Sequence, residues 1–138
     1  MFTPYAAELL MAYFGWGRTG VFNAREQACA LGGRMTKNAA VVEVVLPMLA
    51  DGASLAHVKV KAETWLSAVW TLEDMGMKLI GGAHSHPGAL PVFMSAEDRH
   101  SHRIMYPRGV SVVINPQRKE IAGYDKNQNS VEIKLHGG

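Results

Sequence analysis

His84-Ser85-His86-Pro87, followed by Ser95-Ala96-Glu97-Asp98, places two imidazoles and a carboxylate within one short stretch of chain. On an extended segment alternate side chains share a face, so His84 and His86 can converge on one ion. Asp98, on the first turn of a following helix, can complete the set with an anionic oxygen that offsets part of a dication's charge. Three protein ligands on a tetrahedral zinc leave the fourth position for water, the arrangement of a hydrolytic centre. Pro87-Gly88 forces a chain reversal that brings the helix start back towards the strand end.

Such a centre needs a group that accepts and relays a proton, because zinc lowers the pKa of its water only towards ~7. A carboxylate away from the metal is the usual solution, and Glu26 is the leading candidate. Ser95 can donate to the oxyanion that develops on an attacked carbonyl. Each of these residues alone has a plain structural use. A His pair can sit on a surface by chance, Ser95 and Asp98 suit a helix cap, and Glu26 suits a solvated face. Their conjunction, with Pro-Gly directly after the second histidine, is what points to a metal. His100 and His102 lie two residues apart on the next helix, facing different ways. They are expected to be solvent-exposed rather than a second metal site.

The elements that must position these groups are legible in the pattern. Pro4 to Phe14 reads as a helix with Thr3-Pro4 as cap and first position, and with Tyr5, Leu9, Ala12 and Tyr13 on its apolar face. Glu26 to Gly33 reads as a short buried strand closed by glycines. Val41 to Leu46 and Leu55 to Lys61 carry strand signals, with Pro47 to Ser54 as the turn between them. Over Glu63 to Met75 the period changes, and Trp65, Ala68, Val69, Leu72 and Met75 form a core stripe ended by Gly76. Lys78 to Ala83 is a strand running into His84. Ser95 is an N-cap with Asp98 at the third helical position, for a helix to about Met105 that Pro107 ends. Val110 to Ile114 is a strand. Glu120 to Tyr124 and Ser130 to Leu135 form a closing hairpin around Asp125 to Asn129.

The bulk numbers fit one α/β domain spanning residues 1–138. A chain of 138 residues with 48% apolar and 19% charged residues can bury a core without staples. The single cysteine, Cys29, excludes an internal disulfide and a cysteine-based metal site. Seven Lys/Arg against three acids between Arg99 and Lys134 make a mildly basic face, not the dense stripe that nucleic acid demands. No apolar run spans a bilayer, and no basic region precedes the first apolar stretch, so a membrane is not expected and a cytoplasmic protein is.

The constellation resembles the JAMM (MPN+) metalloproteases of the JAB/MPN domain family, whose motif runs Glu, His-Ser/Thr-His-Pro, then Ser-x-x-Asp. The resemblance covers nearly the whole chain. It includes Glu26 before an apolar stretch ending in Gly32-Gly33, the helix ending at Gly76, the strand into His84-Ser85-His86-Pro87-Gly88, and Val110 to Pro116. It implies a cytidine-deaminase-like fold with a central mixed β-sheet flanked by helices. It further implies Zn2+ on His84, His86 and Asp98, Glu26 as general acid/base, and Ser95 stabilising the tetrahedral intermediate. Glu43, in another apolar strand, is the alternative base but lacks the glycine context.

One more residue than usual separates the second histidine from the serine. We read this as an insertion within Pro87 to Met94 that keeps Ser95 and Asp98, because the usual spacing would put Met94 in the serine's place. Glu97 would then be the alternative ligand. The implied activity is isopeptide or peptide cleavage after the tail of a ubiquitin or ubiquitin-like protein, with a ubiquitin-activating-type enzyme as an expected partner in the same pathway. Alternatives are a processing peptidase for a sulfur-carrier protein and a non-catalytic MPN-type scaffold. The terminal Gly137-Gly138 echoes a ubiquitin-like ending, yet the rest of the chain does not read as such a domain.

Overall fold

The computed structural model describes residues 1–16, 27–48, 50–51, 59–60, 62–86 and 92–135, with backbone alone at 50, 51, 59, 60 and 62. In chain order the elements are α1 (Pro4–Phe14), β1 (Ala28–Met35), β2 (Ala40–Met48), β3 (Ala50–Asp51), β4 (Lys59–Val60), α2 (Ala62–Asp74), β5 (Lys78–Ser85), α3 (Ala96–Met105), β6 (Val110–Asn115), β7 (Glu120–Tyr124) and β8 (Ser130–Val131). Six strands form one sheet in the order β2-β1-β5-β6-β7-β8, and β3 pairs with β4 separately. Only β5 and β6 run parallel; the other neighbours are antiparallel. The expected mixed sheet flanked by helices is what forms.

The chain start ties the β2 edge of this sheet to the segment that follows β8. Phe2 bridges both Val42 of β2 and Leu135, its amide donating to Lys134 O at 2.8 Å. Phe2 is itself 1% exposed, so the closure is also apolar. Thr3 then caps α1, its hydroxyl accepting from the Ala6 amide, with Pro4 at the start where its missing N–H costs nothing. The buried face of α1 is Ala6, Ala7, Leu10 and Phe14, whereas Tyr5 is 61% exposed. The small Ala6 and Ala7 side chains let the helix sit close to the sheet; of the expected face, Tyr5 and Ala12 are exposed while Leu9 and Tyr13 are half-buried against the core.

Strand alternation divides the interior. Cys29 and Leu31 of β1 pack with α1, Val42, Ile80, Val112 and Ile114, while Ala28 and Ala30 pack on the other face with Met48 and Ala68 of α2. Ala68 and Leu72 are the buried heart of the α2 stripe; Met75, expected in it, is exposed. The glycines Gly32-Gly33 do not close β1 but mark a register shift, and the strand runs on to Met35. β2 likewise extends through Pro47 to Met48, so the turn begins later than the sequence suggests. Of the expected strand at Leu55 to Lys61, residues 55–58 and 61 lie outside the described residues. β8 is shorter than expected, because among the described residues beyond Val131 only Leu135 bridges, to Phe2 rather than to β7.

Candidate metal centre

β5 is a central strand, with His84 near its end and His86 directly after it. His84 pairs with Ala28 of β1 on one side and with Val113 of β6 on the other, and the His86 amide donates to Ile114 O at 2.8 Å. With both neighbours hydrogen-bonded, the backbone at the strand end is held, and the two imidazoles project on one face. Their ring centroids lie 5.1 Å apart, and His86 meets the edge of Phe93 at 5.4 Å. Ser85, between them, points the other way and receives the Gln27 amide on its hydroxyl at 2.8 Å, while its own amide donates to Gln27 O at 2.9 Å.

Asp98 arrives on the first turn of α3. Ser95 is the N-cap, its hydroxyl accepting from the Asp98 amide at 3.1 Å, and Asp98 Oδ2 accepts from the Ser95 amide at 3.0 Å, a reciprocal capping box. The same Oδ2 lies 3.1 Å from His84 Nε2 and 3.2 Å from His86 Nε2. Burial alone would raise the Asp98 pKa, but its contacts with His84 and His86, and the Ser95 amide, outweigh this. They hold the carboxyl well below the usual carboxylate range. The loop before Ser95 is pinned by Tyr124, whose hydroxyl donates to Val92 O at 3.0 Å.

The donor set fits a small divalent cation. The ligand atoms of His84, His86 and Asp98 all lie within 4.8 Å of one another. Ligands about 2.0–2.1 Å from a tetrahedral ion sit roughly 3.3 Å apart, close to the two observed N–O separations. His84 Nε2 is buried and, despite its nearness to Asp98, has no hydrogen-bond partner among the described residues. An imidazole nitrogen aimed into a cluster of ligands and not satisfied by a hydrogen bond is one that a cation would satisfy. Beside the centre opens a cleft of roughly 280 Å³, whose lining includes Met48, Gly82, His84, Asp98 and Ile104.

Among the expected site residues, the structure thus gathers His84, His86, Asp98 and Ser95. Glu97 is exposed on α3, so the one-residue longer loop still delivers Asp98 to the histidines. Glu26, Pro87 and Gly88 lie outside the described residues, as do Gly137 and Gly138. Glu43 sits on β2 beside the Gly32-Gly33 end of β1, which pairs with Leu79 and Lys78, so it is at the opposite end of the sheet from His84. There it faces Arg34 at 3.8 Å.

His100 is exposed as expected, but His102 is not. It is 1% exposed, its Nε2 lying 2.9 Å from Gly109 O. The even count between the two histidines does separate their faces, and the face of His102 is the one that meets the sheet. Tyr106, one turn further, was also not anticipated. Burial pushes its hydroxyl up to about 12; the Ser111 hydroxyl bond opposes the shift and the nearby Asp98 charge adds to it. The spacing of four that links Asp98, His102 and Tyr106 is the sequence signal that could have found both.

A mixed sheet with helices on its faces, and two histidines from a central strand facing an aspartate on the next helix, defines a JAB-type domain. The chain matches the family of prokaryotic homologs of the JAB domain over residues 22–129 and belongs to it. Among solved structures it is similar to the solution structure of a protein from Desulfitobacterium hafniense, at 26% identity and a TM-score of 0.75, covering 97% of this chain and 90% of that one. A JAB1/MPN domain protein from Archaeoglobus fulgidus shares the fold at 15% identity and a TM-score of 0.56, over 97% and 96% of the two chains. A protein from Salinibacter ruber does so at 14% and 0.62, over 99% and 91%. Comparison with curated proteins gave no match.

Proposed function

We propose that this protein is a JAMM-type zinc peptidase or isopeptidase that cleaves after the C-terminal tail of a ubiquitin or ubiquitin-like protein. The observation that carries the reading is the convergence of His84, His86 and Asp98, with a buried His84 Nε2 that has no hydrogen-bond partner among the described residues. Membership of the JAB family, which includes metal-dependent isopeptidases, supports it. The chemistry a zinc ion would supply when held by these three residues is Lewis acidity towards water and a carbonyl oxygen.

The chain's own groups do the rest. Glu26 accepts the proton of the attacking water and returns it to the leaving amine. The residue after it, Gln27, is bonded to Ser85 between the two histidines, which supports this assignment. The Ser95 oxygen is occupied as an acceptor from the Asp98 amide, leaving its O–H to donate to the developing oxyanion. An extended tail ending in Gly-Gly would lie along a strand edge near the centre, held by main-chain hydrogen bonds.

The test compares wild type with Glu26→Ala on linear ubiquitin-like fusions, measuring bound zinc alongside cleavage. The variant should keep its zinc and lose cleavage by about 10²-fold or more, the usual contribution of general acid–base groups. A fully active Glu26→Ala would remove Glu26 from the mechanism.

A further inference from the structure

Asp98 reaches the histidines only if α3 lies on β5 in one particular register, and α3 is poorly equipped to hold it by apolar packing. No apolar residue of the helix is buried: its covered side chains are those of His102 and Asp98. Ile104, its one aliphatic branched residue, is 66% exposed. His102 lies one turn after Asp98 and one turn before Tyr106, so the three form a stripe on the face that meets the sheet.

Each member of this stripe has a fixed partner. His102 Nε2 lies 2.9 Å from Gly109 O; a carbonyl only accepts, so Nε2 carries the proton. Gly109 is seated directly on β5, where a Cβ would come within 2.5 Å of Ile80 O, so the carbonyl that His102 grips is rigidly referenced to the histidine-bearing strand. The Tyr106 ring packs against His102 at 5.0 Å between centroids, with the planes tilted by 35°, and lies against Gly82, two residues before His84. His102 Nδ1 is buried with no partner among the described residues. An apolar side chain would fill this space without stranding an acceptor, so the imidazole is explained by what its Nε2–H does.

We propose that His102 is a positioning residue of the metal centre, its bond to Gly109 O fixing α3 on β5 where Asp98 meets His84 and His86. The proposal rests on the metal reading of those three residues, and the experiment separates the two. Zinc dissociation constants are measured by competition with a chromophoric chelator for wild type, His102→Phe and His102→Gln, with circular dichroism of the metal-free proteins as the control for folding. His102→Phe keeps a buried ring but has no N–H, and should bind zinc about tenfold or more weakly, as loss of a group that orients a ligand typically does. His102→Gln places an amide N–H where Nε2 was and should recover most of the affinity.

If His102→Phe does not fold, Gln is compared with His102→Asn, whose shorter amide cannot reach Gly109 O. Weaker zinc binding by Asn alone then supports the same conclusion. Affinity within about twofold of wild type in His102→Phe, or equal affinity in Gln and Asn, overturns the positioning role while leaving the metal centre intact. A wild-type protein that binds no zinc overturns both.

Discussion

Asp98 is asked to do two things with one carboxylate. Its Oδ2 accepts the Ser95 amide, completing the cap of α3, and lies within 3.2 Å of both imidazole nitrogens. Glu97, one residue earlier, is exposed. The two acids should therefore behave differently when removed. Asp98→Ala should lose bound zinc, and the broken cap should lower stability by about 1 kcal/mol in denaturant titration. Glu97→Ala should keep its zinc. The reverse pattern in metal analysis would mean that the longer loop delivers Glu97 and that the aspartate is only a cap. The motif was legible at this scale because strand alternation and helix capping are local rules. Local rules also located Ser95 and Asp98 despite the extra residue. The burial of His102 was not legible, since nothing in His100-Ser101-His102 says which of the two histidines turns to the sheet until the sheet is in place.

The centre is built at the meeting of β5 and α3, two elements brought close by missing side chains. A Cβ on Gly82 would come within 2.8 Å of two ring carbons and the hydroxyl oxygen of Tyr106, and one on Gly109 within 2.5 Å of Ile80 O. The Tyr106 ring is wedged between His102 and the strand and has little room to retreat. Gly82→Ala should therefore destabilise the protein by about 1–3 kcal/mol, the usual cost of overpacking, read from the urea midpoint at unchanged slope. An unchanged midpoint would show that α3 shifts freely on β5. Elements were the most readable level of this chain. The bounds Pro4–Phe14 and Glu120–Tyr124, and the capped start of α3, follow from period and punctuation. The failures have physical causes too. An apolar helix rich in alanine does not declare its phase, so α1 buries Ala6, Ala7, Leu10 and Phe14 instead of the face with Tyr5. Gly32-Gly33 signal a bulge as readily as a strand end, and only the pairing with β2 decides between them.

For the molecule as a whole, the sheet order puts the histidine strand between β1 and β6, and the chain start joins β2 to Leu135, so the framework around the centre is continuous. That framework keeps Glu43 away from the centre. Glu43 lies at the Lys78 end of the sheet, whereas Gln27, next to Glu26, is bonded to Ser85 at the other end. Fold and family follow from this architecture and from the match over residues 22–129. The peptidase reading depends on whether the gathered ligands hold an ion. The most direct test is metal stoichiometry by elemental analysis after equilibration with zinc, for wild type and for His84→Ala and His86→Ala shown to be folded. The account predicts about one zinc per chain in wild type, as a three-ligand site implies, and loss of that zinc in both variants. A folded wild type without zinc, or variants that retain it in full, would contradict the claim that His84, His86 and Asp98 form a metal centre.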